Sequence, residues 1–318
     1  MTIGKTMRAS ALEGFDRPPS VIDVPTPEPG PGEVLVRVRA VSVNAFDTFV
    51  SMGMAKDFLP YEFPVVLGSD VSGVVEAVGD GVDGFTSGER VFGTIGAKGV
   101  LHDGTFGELA AAQALSLAHT PNDVDDDDAG ALGVAGTTAM SAVKAVELAA
   151  GTTVLVVGAT GGVGTFAVQL AAERGAHVIA SARPGDEDFI LGLGAADTVD
   201  YTGDLEVIIR QRHPGGVDGV IDLVNRDPEV FATLAGLVRR GGRAVSALQG
   251  AGDATEIEGV FVSNIAADPD HLPSLASLVA ERKVRAAITK RYPLADAPQA
   301  IADFTNKHTL GKLLITVP

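Results

Sequence analysis

The stretch 153–183, TVLVVGATGGVGTFAVQLAAERGAHVIASAR, decides the fold. Residues 153–157 are a short β-branched apolar run of the kind that a parallel sheet buries on both faces. The turn Gly158-Ala159-Thr160-Gly161-Gly162-Val163-Gly164 follows, then apolar residues at helical spacing, Val163, Phe166, Ala167, Leu170 and Ala171. Gly175 closes that helix, and residues 177–180 read as the next strand. Strand, glycine turn, helix and strand make one βαβ unit, with free N–H groups at the helix start placed to face a pyrophosphate. Ala159 stands for the first glycine of G-x-G-x-x-G, with Gly161 and Gly164 in the second and third places. A bare glycine triplet also suits a tight turn without a ligand. Here every flanking element that dinucleotide binding requires is present, and the stretch is read as a dinucleotide site.

At 318 residues the chain is about two domains long and can bury sizeable cores. Hydrophobic residues make up 46% and charged ones 20%, a globular balance rather than a disordered one. No apolar run reaches the roughly 18 residues of a membrane span. The first residues lack the apolar core of a secretion signal, so a cytoplasmic protein is expected. With no cysteine there are no disulfides, thiolate zinc sites or cysteine nucleophile. Asp and Glu number 41 against 24 Lys and Arg, a net charge of −17 that argues against nucleic acid or an anionic membrane as partner. An anionic cofactor must therefore be held by local donors against the overall field.

The first third of the chain is β-rich. A strand begins at residues 7–11, the Pro-rich run 24–32 is a stiff surface turn, and residues 33–41 alternate with period two. Glycines at 79, 81, 84, 88 and 93 separate short apolar runs, which suggests a tightly turned, barrel-like β domain. At Asp125-Asp126-Asp127-Asp128 the composition shifts. These carboxylates suit the start of an Ala-rich helix over residues 129–149, with metal binding as the alternative. A βα domain is placed from about residue 124. Further strands are expected at 198–201, 217–224, 243–248 and 259–262, and helices at 228–238, 272–282 and 295–307 before a last strand at 313–317. There are no repeats, low-complexity tracts or flexible linkers.

Several runs together carry a family resemblance. They are Val43-Asn44-Ala45-Phe46-Asp47, Gly68-Ser69-Asp70-Val71-Ser72-Gly73-Val74-Val75, Gly136-Thr137-Thr138-Ala139, the turn at 159–164, Leu193-Gly194-Ala195-Ala196-Asp197 and Gly311-Lys312-Leu313. Over nearly its whole length the chain resembles the zinc-independent, zeta-crystallin-like quinone oxidoreductase branch of the medium-chain dehydrogenase/reductase superfamily. The resemblance implies an α/β fold. Residues 1–123 and 264–318 would form a GroES-like β-barrel catalytic domain, and residues 124–263 a doubly wound parallel-sheet Rossmann domain. It also implies a small-molecule quinone or enone as substrate and a homodimer. Zinc alcohol dehydrogenases of the superfamily place a cysteine where Asn44 aligns and Gly-His-Glu where this chain reads Gly68-Ser69-Asp70. The six histidines show no metal-ligand spacing, so no metal is expected.

Without a Lewis acid, oxidising an unactivated alcohol is hard, whereas a quinone or an alkene conjugated to a carbonyl accepts hydride readily. By resemblance Asn44 lies at the nicotinamide end and is a candidate for catalysis and for cofactor binding, with a loop-closing role as the alternative. Asp47 is read as structural. Phe49 stands where relatives often carry a tyrosine, and phenylalanine donates no proton. Tyr61 is the remaining catalytic candidate, with a packed loop aromatic as its plainer role and water as the default proton source. The cofactor set from the turn and the resemblance is Asn44, Thr137, Thr160, Gly161, Gly162, Val163, Ser181, Arg183, Tyr201, Ala247, Leu248 and Lys312. An enoyl or alkenal reductase and a non-enzymatic NADPH-binding protein are the other functions left open.

The expected cofactor is NADPH. In NAD-binding units an acidic residue roughly 20 positions beyond the glycines takes the ribose hydroxyls. Here the strand tip reads Ala180-Ser181-Ala182-Arg183, with no carboxylate before Asp186. Ser181 offers a hydroxyl and Arg183 a guanidinium fork that suits a 2′-phosphate. By resemblance Tyr201 faces the same phosphate. Asp186, Glu187 and Asp188 are read as first-turn residues of the next helix, turned away from it.

Overall fold

The structure is a computed structural model that describes residues 4–96 and 98–318. The chain runs β1 (Thr6–Leu12), β2 (Ser20–Pro25), β3 (Glu33–Ser42), α1 (Ala45–Ser51), β4 (Val65–Val66), β5 (Asp70–Val78), β6 (Arg90–Thr94), β7 (Leu109–Gln113) and β8 (Leu117–His119). Next come α2 (Asp126–Gly130), α3 (Gly133–Ala145), β9 (Thr153–Val157), α4 (Gly162–Glu173), β10 (His177–Ala182), α5 (Glu187–Leu191) and β11 (Asp197–Asp200). They are followed by α6 (Leu205–Arg212), β12 (Val217–Asp222), α7 (Pro228–Ala235), β13 (Val238–Ser246), β14 (Glu256–Ile257) and β15 (Val260–Asn264). The chain closes with α8 (Leu272–Ala280), β16 (Ile288–Pro293), α9 (Ala297–Asn306) and β17 (Lys312–Thr316).

Two compact units result. The first takes the described residues of Met1–Val134 with Leu272–Ala280 and Ile288–Pro318; the second takes Ala135–His271 and Glu281–Ala287. The division falls at Val134 rather than near residue 124, because α2 packs on β3, β5 and β6 of the first unit.

In the first unit, alternating apolar positions of β3 pair with β5, which continues through β6 to β8, while β17 joins the other side of β3 and carries β16. The pairing path is open, so this GroES-like unit is built from two open sheets, the smaller in the order β2-β1-β4. Val36, Val38, Val71, Val91, Phe106 and Ile315 fill its core.

The second unit is one sheet in the order β11-β10-β9-β12-β13-β15-β14, parallel except for the edge strand β14. This is a doubly wound α/β sheet whose direction of winding reverses between β9 and β12. Leu155, Ile179, Val220, Phe231 and Ala244 form its core. Phe231 is fully buried, and its truncation to alanine would cost about 3–5 kcal/mol.

Several expected elements differ in extent. The helix expected over 129–149 is two helices, α2 and α3, ending at Ala145. Gly130 lies against the backbone of Ala40 and Gly133 against that of Gly93, and the break between the helices lets both make that approach. The four aspartates are engaged in this packing. The Asp125 carboxylate caps α2 by accepting from the Asp128 amide at 2.7 Å, Asp126 pairs with Arg90 at 2.7 Å, and Asp127 pairs with Arg291 at 2.6 Å. The helix expected to reach residue 238 stops at Ala235. Gly236 ends it, and Val238 already begins β13. Glu187 and Asp188 occupy the first turn of α5 as expected, whereas Asp186 lies outside it, as the residue before the helix.

The glycine turn shows what the fold itself requires. A Cβ on Gly164 would sit 2.2 Å from the Gly158 carbonyl oxygen and 2.6 Å from the Ala159 backbone. Both obstacles are main chain, so neither can swing aside. Gly164→Ala should therefore destabilise the protein by about 1–3 kcal/mol, the usual cost of overpacking. Equilibrium urea unfolding measures it, and an unchanged midpoint would contradict this packing.

Candidate active site

In the first unit a chain of buried polar groups links β3, α1, β5 and β17. Asn44 is the residue before α1, and its backbone amide donates to the Asp47 carboxylate at 2.7 Å, an N-terminal capping arrangement. Its side-chain Oδ1 accepts from the Lys312 ammonium at 2.7 Å, and its Nδ2 donates to Asp70 at 2.8 Å and to the Ser42 carbonyl at 3.2 Å. Lys312 has only donors and an ionised Asp70 only acceptors, so the amide can face one way alone. Lys312 also donates to the Val43 carbonyl at 3.2 Å, and its ammonium stands 3.9 Å from Asp70. Asp70 further accepts from the Ser42 hydroxyl and, at 2.6 Å, from the Val134 amide. Asp47 takes the Ser69 hydroxyl at 2.6 Å.

Burial sets the electrostatics. Asn44 is 6% exposed, Lys312 2% and Asp70 fully buried. Desolvation pushes the Lys312 ammonium below its ordinary range, against the opposing pull of Asp70 and Asp47. Burial, with a smaller contribution from the charge of Asp70, pushes the Asp47 carboxyl up to about 7, although the bonds from Ser69 and Asn44 and the Lys312 charge oppose it. Below that pH Asp47 is a neutral acid.

Of the candidate residues in this unit, the structure joins Asn44 to Lys312 directly. Tyr61 is elsewhere. Its hydroxyl donates to the Val50 carbonyl at 2.9 Å, near the far end of α1, and its ring meets Phe15 edge-on at 4.9 Å. Burial raises its hydroxyl's pKa. Both features are those of a packed loop aromatic. Ser42 and Asp70 belong to the network although neither is among the sequence candidates. The available signal was a carboxylate within the strand-like run Asp70-Val71-Ser72-Gly73-Val74-Val75, which a buried strand holds only with partners.

In the second unit the candidates other than Thr137 gather at the carboxyl ends of the strands. Gly158 adopts φ 82°, and its amide donates to the Ser181 hydroxyl oxygen at 2.9 Å, so the tip of β10 braces the turn. Gly161 precedes α4 in an extended conformation, Gly162 and Val163 begin the helix half-buried, and Thr160 is buried beside them. The first amides of a helix have no acceptor within it and present a partial positive charge. A Cβ on Gly161 would meet only the Gly158 carbonyl oxygen, at an ordinary 3.5 Å, so the chain itself does not demand glycine there. Close approach of a ligand would, and these free amides beside an open Gly161 suit a pyrophosphate. At the tip of β10 the Arg183 Nε donates to the Tyr201 hydroxyl, with the guanidinium 5.8 Å from the ring centre. Ala247 and Leu248 follow β13; the Ala247 amide donates to the Asp222 carbonyl at 2.9 Å and the Leu248 amide to the Ser246 hydroxyl at 3.2 Å. Thr137 is buried within α3.

Residues 30–122 match the alcohol dehydrogenase GroES-like domain, and residues 193–315 match the zinc-binding dehydrogenase family. A structure of an alcohol dehydrogenase superfamily protein from Novosphingobium aromaticivorans is 30% identical, with TM-score 0.85 over 98% of this chain and 100% of that one. The chain belongs to the medium-chain dehydrogenase/reductase superfamily, in its quinone oxidoreductase branch. Its similarity to a quinone oxidoreductase from Coxiella burnetii is 28% identity and TM-score 0.86, over 99% of this chain and 100% of that one. A chloroplast envelope quinone oxidoreductase homolog of Arabidopsis thaliana is 29% identical over 92% of each chain. The protein is thus an oxidoreductase of a family that binds a nicotinamide cofactor. Among the described residues, no helix is long and apolar enough to cross a membrane, and no three His, Asp or Glu side chains are grouped to hold a metal.

The raised Asp47 pKa makes a stability prediction whose sign is fixed. An unfolded aspartate ionises near 3.9, whereas native Asp47 holds its proton to about 7. Between these values the native state binds more protons, so this group's contribution falls as pH rises. Asp47→Asn removes that slope. The stability of the wild type relative to the variant should therefore drop by roughly 2–4 kcal/mol from pH 4 to pH 8. Urea unfolding of both proteins at the two pH values measures it, and a difference that does not change would remove the assignment.

Proposed function

We propose that the protein is a zinc-independent, NADPH-dependent reductase that passes hydride to a quinone or an α,β-unsaturated carbonyl compound. The observation that carries this reading is the Lys312–Asn44–Asp70 network, in which the residue aligned with a zinc-binding cysteine has both ends of its amide engaged. A metal there would have to displace the bonds from a buried ammonium and to a buried carboxylate. A substrate that already carries an electron-poor double bond needs no such Lewis acid.

When bound, the nicotinamide supplies the hydride. The chain's own part is to hold and orient. The amides of Gly162 and Val163 receive the pyrophosphate, and Ser181 keeps the turn in place through Gly158. Arg183, steadied by Tyr201 through its Nε, directs its remaining donors at a 2′-phosphate. Asn44, fixed by Lys312 and Asp70, keeps the start of α1 rigid at the nicotinamide end that the family resemblance assigns to it. The Tyr61 proton is committed to Val50, so water protonates the product. We further propose a homodimer formed through the β14 edge of the sheet, and small molecules as its substrates.

Two substitutions test the cofactor assignment separately from folding. Gly161→Val should leave the melting temperature of the free protein within a few degrees and abolish dinucleotide binding. Arg183→Ala should weaken NADPH by about 1.5–3 kcal/mol and leave NADH nearly unchanged, since only NADPH loses a charge-assisted bond. Fluorescence titration reads both, and equal losses for the two cofactors would mean that the strand tip holds no 2′-phosphate.

Activity tests the reaction class. Chelator-treated enzyme should reduce a panel of quinones and enones with NADPH at its full rate. One zinc per chain, with activity lost on its removal, would overturn the zinc-independent reading.

A further inference from the structure

Asp222 ends β12, opposite Val157 on β9 and Ser246 on β13, and is 1% exposed. Its Oδ1 accepts from the Val224 amide at 3.1 Å, the Asn225 amide at 3.2 Å and the Asn225 side chain at 3.0 Å. These bonds hold the loop after β12 against the glycine turn, where Val224 lies 2.6 Å from the place a Cβ on Gly158 would take. Its other oxygen, Oδ2, is buried and receives no donor among the described residues. The corresponding groups on neighbouring strands are used: Ser181 accepts from Gly158, and Ser246 accepts from Leu248 and Gly250. A buried carboxylate oxygen without a donor is costly, and a ligand hydroxyl would supply one.

Position and chemistry select that donor. The sheet's winding reverses between β9 and β12, and a dinucleotide held at such a point spans both sides of it. Arg183 and Tyr201 lie at the ends of β10 and β11, the side assigned above to the 2′-phosphate. Asp222 lies on the other side, where the nicotinamide half of a dinucleotide bound at such a point would lie. A carboxylate repels phosphate and accepts from hydroxyl groups, which the ribose provides. We propose that Asp222 binds the cofactor, its Oδ2 accepting a hydroxyl of the ribose that bears the nicotinamide. The inference rests on the dinucleotide reading of the turn. It assigns a contact that NADPH and NADH share.

Asp222→Asn tests it closely, because asparagine keeps an oxygen for the loop amides and turns the donor-less oxygen into a donor. The variant's melting temperature without ligand should stay within a few degrees of the wild type. By calorimetry, its affinity for NADPH, NADH and ADP-ribose should each fall about tenfold or more, the scale of a hydrogen bond to a charged group, while its affinity for ADP, which lacks that ribose, should not change. Undiminished affinity for ADP-ribose overturns the proposal. A loss confined to NADPH and NADH also overturns it, pointing to the nicotinamide amide as donor. Should the variant fail to fold, the wild type decides: ADP-ribose must bind about tenfold or more tighter than ADP, and equal affinities refute the contact. Failure of the wild type to bind any of the four would remove the dinucleotide reading, and this one with it.

Discussion

A single buried ammonium holds the first unit's polar interior together. Lys312 enters on β17, next to the chain's end, and reaches Val43 and Asn44, which lie about 270 residues earlier at the mouth of α1. Burying such a charge costs several kcal/mol unless it is paired and hydrogen-bonded. Here two oxygen acceptors and the Asp70 carboxylate offset that cost. The arrangement is mutually determined: Lys312 orients the amide of Asn44, the amide reaches Asp70, and Asp70 takes the Val134 amide at the start of α3. Removing any one member takes a hydrogen bond from another buried group, and breaking a buried ionic arrangement from one side is strongly destabilising.

Asp47 lies one step outside this chain and answers to a different balance. It receives two hydrogen bonds, yet burial beside a second carboxylate keeps its proton on to about pH 7. Below that pH Asp47 therefore adds no charge to the interior. The result is a buried, fully hydrogen-bonded polar centre around Asn44, the feature on which the proposed zinc-independent reading rests.

The second unit divides its glycines between two tasks. Gly164 serves the fold, because main chain occupies the space its side chain would need. Gly161 has room for a side chain among the described residues, and that room is what the proposed pyrophosphate would fill. Around it, the strand ends supply one brace each: Ser181 for the turn, Asp222 for the loop that leans on it, and Ser246 for the loop after β13. Short local bonds from strand ends to loops keep the carboxyl edge of the sheet in one conformation.

Much of this was legible in the residues themselves. The βαβ unit at 153–183 follows from period and glycine placement, because both depend on neighbours in sequence. The lack of cysteine and the unbroken run from Ser181 to Arg183 without a carboxylate are likewise properties of the chain alone. Element ends were less accessible. The helix expected over 129–149 breaks where Gly130 and Gly133 meet strands far away in sequence, and the helix at 228 yields to β13 through pairing with β12. The site divided in the same way. Gly161, Ser181 and Arg183 could be named from local pattern, whereas the joining of Lys312 to Asn44 and Asp70, the binding of Tyr61 to Val50 and the half-used carboxylate of Asp222 could not. Hydrogen bonds between buried groups reward partners by distance in space, which only the folded chain sets.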